Sequence, residues 1–190
     1  MTQEEETRHL ILTQFVALAA QQGDRNVRMA EIAQASGMSR QNLYRYFSSR
    51  EELYRAAMDE LFDHFWLLAE PHIEEFDDRL ALHVNYLAIT VASSHPEILR
   101  ILADPELHDL NLSLMRRYFA RVIGALVRHK GINSINRDYV DVMVAMVAGA
   151  SLAALRQWVE GGMRVPVEDM ARLSSHILNG RALELLTETH

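Results

Sequence analysis

Met29-Ala-Glu-Ile-Ala-Gln-Ala-Ser-Gly-Met-Ser-Arg-Gln-Asn-Leu-Tyr-Arg-Tyr-Phe-Ser-Ser-Arg-Glu-Glu-Leu53 is the stretch whose reading decides the fold. Met29, Ile32 and Ala33 recur at helical spacing and predict a short helix that ends near Ser36. Gly37 then supplies the positive φ that a tight turn between helices requires. Ser39 is placed to cap a second short helix, Arg40 to about Phe47, because its hydroxyl can accept a first-turn backbone N–H. Ser49 with Glu52 repeats the capping pattern for a further helix.

On a wheel of roughly 100° per residue, Leu43 and Phe47 share one face of the capped helix. Gln41, Asn42 and Arg45 fall on the opposite face, with Tyr44 and Tyr46 at its borders. Such a helix has a back to bury and a front that can read a major groove. Arg pairs with guanine O6 and N7, Gln or Asn pairs with adenine N6 and N7, and tyrosine hydroxyls donate to phosphate. Arg40 at the helix start and Arg50 at the start of the next offer phosphate clamps.

Outward from this unit, Ile11, Phe15, Leu18, Ala19 and Gln22 predict a first helix, with Thr2 and Glu5 as a capping box and Gly23 as its stop. Downstream, Tyr54, Met58, Leu61, Phe65 and Leu68 form one stripe that Pro71 ends, so a single rod leaves the N-terminal unit. Further helices are expected at about 77–94, 96–103, 106–130, 138–160 and 167–186, punctuated by Pro and Gly.

The whole chain of 190 residues carries a formal charge of −7, which is unfavourable for a nucleic-acid binder until it is located. Residues 1–58 hold seven Arg against seven Asp or Glu, so all the acidic excess lies beyond Met58. Residues 38–50 carry Arg40, Arg45 and Arg50 and no acid. Cysteine is absent, which excludes disulfides, Cys-based zinc sites and thiol catalysis. No run reaches the roughly 18 uninterrupted apolar residues of a membrane helix, and the acidic start does not resemble a signal peptide. A cytoplasmic protein with no membrane partner is expected.

The quoted stretch resembles the DNA-binding signature of the TetR family, closely over about residues 8–58 and beyond that only in helix count and order. The resemblance implies an all-α chain of about nine helices, with a three-helix helix-turn-helix DNA-binding domain over 1–50 and a ligand-binding and dimerisation domain over 51–190. It implies that Arg40, Gln41, Asn42 and Arg45 sit where members contact bases and that Tyr44, Tyr46 and Arg50 hold backbone phosphate, with Ser39 also among the DNA-binding residues. One departure is visible. Family members usually open the second helix with Thr or Ser, whereas this chain has Arg28, which keeps a charge for phosphate but leaves the helix start without its cap.

The segment 138–160 is apolar almost all round, so it needs cover on more than one side. The resemblance implies that it pairs, with the helix after it, against a second copy; a core helix of a monomer would have the same composition. A homodimer sets two reading helices about 34 to 36 Å apart, or a multiple, and implies a palindromic operator. The middle helices mix apolar residues with Trp66, His83, Asn85, Tyr86, Ser93, His95, Arg116, Tyr118 and Phe119, a composition suited to a small-molecule cavity, without singling any out.

The expected function is a ligand-released transcriptional repressor without a cofactor. Two readings stand beside it. A helical protein-interaction module that has lost its operator fits the acidic total. An enzyme would need marks that are missing: there is no P-loop, GxGxxG or HExxH, and the nine His show no metal-binding pairs.

Overall fold

The computed structural model describes residues 2–22, 26–71, 96–129, 131 and 136–177. All regular structure among them is helical: α1 (Gln3–Gln22), α2 (Met29–Ala35), α3 (Arg40–Tyr46), α4 (Arg50–Ala69), α5 (Pro96–Ala103), α6 (His108–His129), α7 (Arg137–Glu160) and α8 (Val167–Ile177). The expected helix over 77–94, the Gly23 stop and the stretch beyond Ile177 lie outside the described residues.

The helix starts follow the capping chemistry of the sequence. The Thr2 N–H donates to the Glu5 carboxylate at 2.6 Å and the Glu5 N–H to the Thr2 hydroxyl at 3.2 Å, a complete box. Ser39 accepts from the Asn42 N–H and Ser49 from the Glu52 N–H, both at 3.1 Å. Gly37 has φ +68, so the α2–α3 corner depends on its missing side chain. A start expected at Glu106 is instead a 3-10 turn over Pro105–Leu107, capped by Asp104, with α6 beginning at His108. Proline at the first position of that turn costs no hydrogen bond.

One continuous apolar core runs from Ile11 and Phe15 of α1, through Leu43, Phe47, Tyr54 and Phe62, to Leu114, Leu152 and Trp158. Tyr54, Met58 and Phe65 of the α4 stripe are buried and Leu61 is half-buried. α5 packs on α1, α4 on both α1 and α6, and α6 most extensively on α7. The N-terminal unit is therefore welded to the following helices through α1 and α4.

α7 is the described helix that is long and apolar enough, by length and composition alone, to cross a membrane, with a mean hydropathy of 1.5. Only 22% of that window is buried within the chain. Val144, Ala148, Leu152 and Trp158 face the core, while Tyr139, Val142 and Met146 are 55, 59 and 68% exposed. Those three, with exposed Ala150, Ala153 and Gln157, recur every three or four residues and form one face.

Candidate nucleic-acid interface

α3 is held from behind by Leu43 at 0% and Phe47 at 1% exposure. Its other face is open: Arg40, Gln41, Tyr44 and Arg45 are exposed, Tyr44 to 51%, and Asn42 and Tyr46 are half-buried. Arg40 and Arg45 make no ion pair among the described residues. The amphipathic division read from the sequence is thus present, with Asn42 and Tyr46 at the margin. Ser39 is exposed, and since its oxygen accepts from Asn42 its own proton is available to an outside acceptor.

A residue that sequence reasoning missed fixes this helix. Arg8 of α1 places its guanidinium 4.4 Å from the centroid of the Phe47 ring and donates from Nη1 to the Tyr46 carbonyl at 3.2 Å. It thereby satisfies a carbonyl at the end of α3 and stacks on the residue that seats the helix. Its charge also reaches Glu52, whose carboxylate accepts from the Ser48 N–H and hydroxyl at 2.7 Å each. Those bonds to Ser48 hold the Glu52 carboxyl below its ordinary range, with Arg8 adding to the effect. The available signal was a charged residue three and four positions before Ile11 and Leu12, on the apolar side of α1.

The reading of Arg28 needs correction. Its side chain does not cap α2, but the start is not left uncapped, because the Arg28 N–H donates to Glu31 Oε2 at 3.0 Å. The other Glu31 oxygen accepts from Arg28 Nε and Nη2 at 3.1 and 2.6 Å. This fork holds the Glu31 carboxyl below its usual value and pushes Arg28 up. Arg28 is exposed, but its donors are turned to its own helix. Arg50 is half-buried and lines a cleft of about 550 Å³ beside Glu51, Glu106 and Asp109. It is more committed to the protein than Arg40 or Arg45.

The rod that starts beside α3 is tied to α6 in parallel register. Tyr54 donates its hydroxyl to Asn111, Asp59 pairs with Arg117 at 2.5 Å, Phe62 meets Tyr118 with centroids 5.4 Å apart, and Asp63 pairs with Arg121 at 2.7 Å. Partner numbers rise together along both helices, so these contacts form a ladder. Its first rung is wholly buried. Asn111 Nδ2 also donates to the carbonyls of Ile101 and Leu102 at 3.1 Å each, closing the end of α5. At Asp59, burial pushes the carboxyl up more strongly than Arg117 pulls it down.

Of the cavity candidates, Trp66 and Tyr118 are buried, Phe119 is half-buried and Arg116 is exposed. His83, Asn85, Tyr86, Ser93 and His95 lie outside the described residues. No group of three or more His, Cys, Asp or Glu suited to a metal occurs among the described residues.

Comparison with known proteins finds two family matches along the chain. Residues 11–57 match the family model of bacterial regulatory proteins, tetR family, and residues 96–180 match a model for a transcriptional regulator C-terminal region. A search of curated protein sequences finds no match. Among solved structures, a TetR-family transcriptional regulator from Syntrophomonas wolfei superposes with a TM-score of 0.72 at 16% identity, over 98% of this chain and 100% of that one. FadR from Bacillus subtilis, solved in complex with stearoyl-CoA, gives 0.65 at 14% identity over 90% and 97%. RolR in complex with resorcinol gives 0.59 at 18% identity over 98% and 95%. At such identities the structural likeness speaks to the fold.

Proposed function

The chain belongs to the TetR family of bacterial regulatory proteins and is a transcriptional regulator, and from that premise we propose a homodimeric repressor that grips a palindromic operator through α3 and is released by a small molecule. One observation carries the DNA reading: α3 is anchored by Leu43 and Phe47 and turns Arg40 and Arg45, without ion-pair partners among the described residues, with Gln41 and Tyr44, to solvent on a chain of charge −7. Exposed cations on an acidic protein are available to an external anion.

In this reading Gln41, Asn42 and Arg45 contact bases, while Ser39, Arg40, Tyr44, Tyr46 and Arg50 contact phosphate. Arg28 joins them only by exchanging Glu31 for a phosphate oxygen. Residues 1–50 form the DNA-binding domain and 51–190 the regulatory one, with α4 common to both cores. The exposed face of α7 and the exposed Leu173 of α8 meet their copies across a two-fold axis, which gives the apolar surface its cover and favours the dimer over a membrane. The place of action is the bacterial cytoplasm, where operator DNA lies.

Release by a ligand is supported by two facts. Proteins of the same fold bind stearoyl-CoA and resorcinol, molecules so unlike that the fold does not dictate the ligand. The α4–α6 ladder supplies the mechanical link, since a ligand that displaces α6 displaces the rod beside α3. Selection of bound fragments from the host genome tests the whole. The enriched sequences are expected to share a two-fold palindrome and to lose affinity as salt rises. Enrichment without two-fold symmetry would defeat the dimeric operator reading.

A further inference from the structure

The third rung of the α4–α6 ladder holds a polar group that the other rungs do not leave unsatisfied. Tyr118 is 8% exposed, and its hydroxyl, shut off from solvent, has no hydrogen-bond partner among the described residues. Tyr54, buried in the same seam, gives its hydroxyl to Asn111. A phenylalanine at 118 would pack against the same rings without a stranded hydroxyl, so tyrosine is the costlier choice unless its hydroxyl gains a partner in another state of the protein.

The surroundings restrict that partner. The Tyr118 ring meets Phe62 at 5.4 Å with a 34° tilt and Phe119 edge-on at 5.4 Å, and Phe62 meets Phe65 edge-on at 6.0 Å. This cluster suits a further flat ring in offset or edge geometry. Arg121, whose charge acts on the phenol, is stacked 4.3 Å over Trp66 and bonded to Asp63 at 2.7 Å. Its charge is already shared with Asp63 on the outer side of the seam, so a carboxylate buried beside Tyr118 would have no counter-ion of its own. Burial pushes the phenol up to about 12, which keeps it a donor at neutral pH.

We propose that the Tyr118 hydroxyl anchors the effector, and that the effector is a neutral aromatic molecule with an acceptor oxygen that lies against Phe62, Tyr118 and Phe119. The inference rests on the ligand-released reading above and names the chemistry of its ligand. Because Phe62 belongs to α4, an occupant alters the packing of the rod that begins beside α3.

Calorimetric titration of the DNA-free, full-length protein with acetophenone, ethylbenzene and benzoate tests the proposal. Acetophenone is expected to bind saturably, more tightly than benzoate, and roughly five- to tenfold less tightly to Tyr118→Phe, the worth of one neutral hydrogen bond. Ethylbenzene is expected to bind both proteins alike. The thermal midpoint of free Tyr118→Phe is expected to equal or exceed that of the parent.

Equal acetophenone affinity in the two proteins, tighter binding of benzoate, or no saturable binding of any of the three overturns the proposal. So does a lower midpoint for Tyr118→Phe, which would mean that the hydroxyl is already satisfied in the free protein. A gel shift on operator DNA separates this result from the wider reading. Acetophenone held through Tyr118 with undiminished operator affinity would leave the anchor standing and remove ligand release. Intact operator binding with no role for Tyr118 would do the reverse.

Discussion

Arg45 on α3 and Arg121 on α6 are both exposed arginines one turn or less from aromatic residues, yet the protein uses them oppositely. Arg121 is stacked on Trp66 and paired with Asp63, and its neighbour Arg117 is paired with Asp59. Arg45, like Arg40, has no ion-pair partner among the described residues. The acids that could have neutralised the α3 face are held elsewhere, Glu31 by Arg28 and Glu51 by Arg55. The contrast separates an internal surface, where charge fixes one helix against another, from an external one, where charge awaits an anion.

The comparison can be broken most forcefully at its internal side. Asn111→Leu removes the donor to two buried carbonyls and the acceptor for Tyr54. We expect a loss of about 2–4 kcal/mol in urea unfolding; a loss within about 0.5 kcal/mol, the range of ordinary surface changes, would show that the buried rung holds nothing.

At the external side, Arg45→Ala is expected to leave stability nearly unchanged and to weaken operator binding by about 1–3 kcal/mol, with relaxed preference at one base pair. Fluorescence anisotropy on operator variants checks this, and an unaltered preference would remove Arg45 from the reading face. Arg8→Met sharpens the distinction between contact and support. It should cost about 1 kcal/mol of stability and reduce operator affinity while leaving the salt dependence unchanged, since Arg8 acts through Phe47 and Tyr46. A shallower salt slope would instead make Arg8 a phosphate contact.

The smallest effect is expected at Arg117→Ala, where both partners are about half exposed. Its stability cost should be at most about 1 kcal/mol and is reduced by solvent screening. The Asp59 carboxyl is raised by burial, so the stability linked to it is present at low pH and lost as pH rises through its folded value. Removing Arg117 takes away the downward pull and raises the carboxyl further. The penalty of the substitution should therefore fade on acidification, which unfolding curves at several pH values would measure; a penalty that grows with acid would contradict the pairing.

Much of the reading head was legible because its determinants are local. Ser39, Gly37, Leu43 and Phe47 act within a few residues of themselves, and capping and periodicity report such relations directly. The end of α4 at Ala69, just before Pro71, was visible for the same reason. Arg28 was misjudged because a cap was sought in the side chain of the first residue, whereas Glu31 supplies it by reaching back. The seam was not legible at all: Tyr54 and Asn111, or Asp63 and Arg121, are nearly sixty positions apart, and no local pattern announces their pairing. Nor does composition distinguish Tyr54 from Tyr118, one satisfied and one not, since that difference exists only after packing.

The spacing of the ladder has a consequence for how the two helices can slide. Asp59 and Asp63, like Arg117 and Arg121, recur at an interval of four, so a slip of one turn, about 5.4 Å, would set Asp63 against Arg117 and preserve an ion pair. Electrostatics alone thus tolerates two alignments. The same slip would bring Met58 opposite Asn111 and strand a buried amide against a thioether. The exposed ion pairs accept either alignment, but the choice of vernier mark belongs to one asparagine.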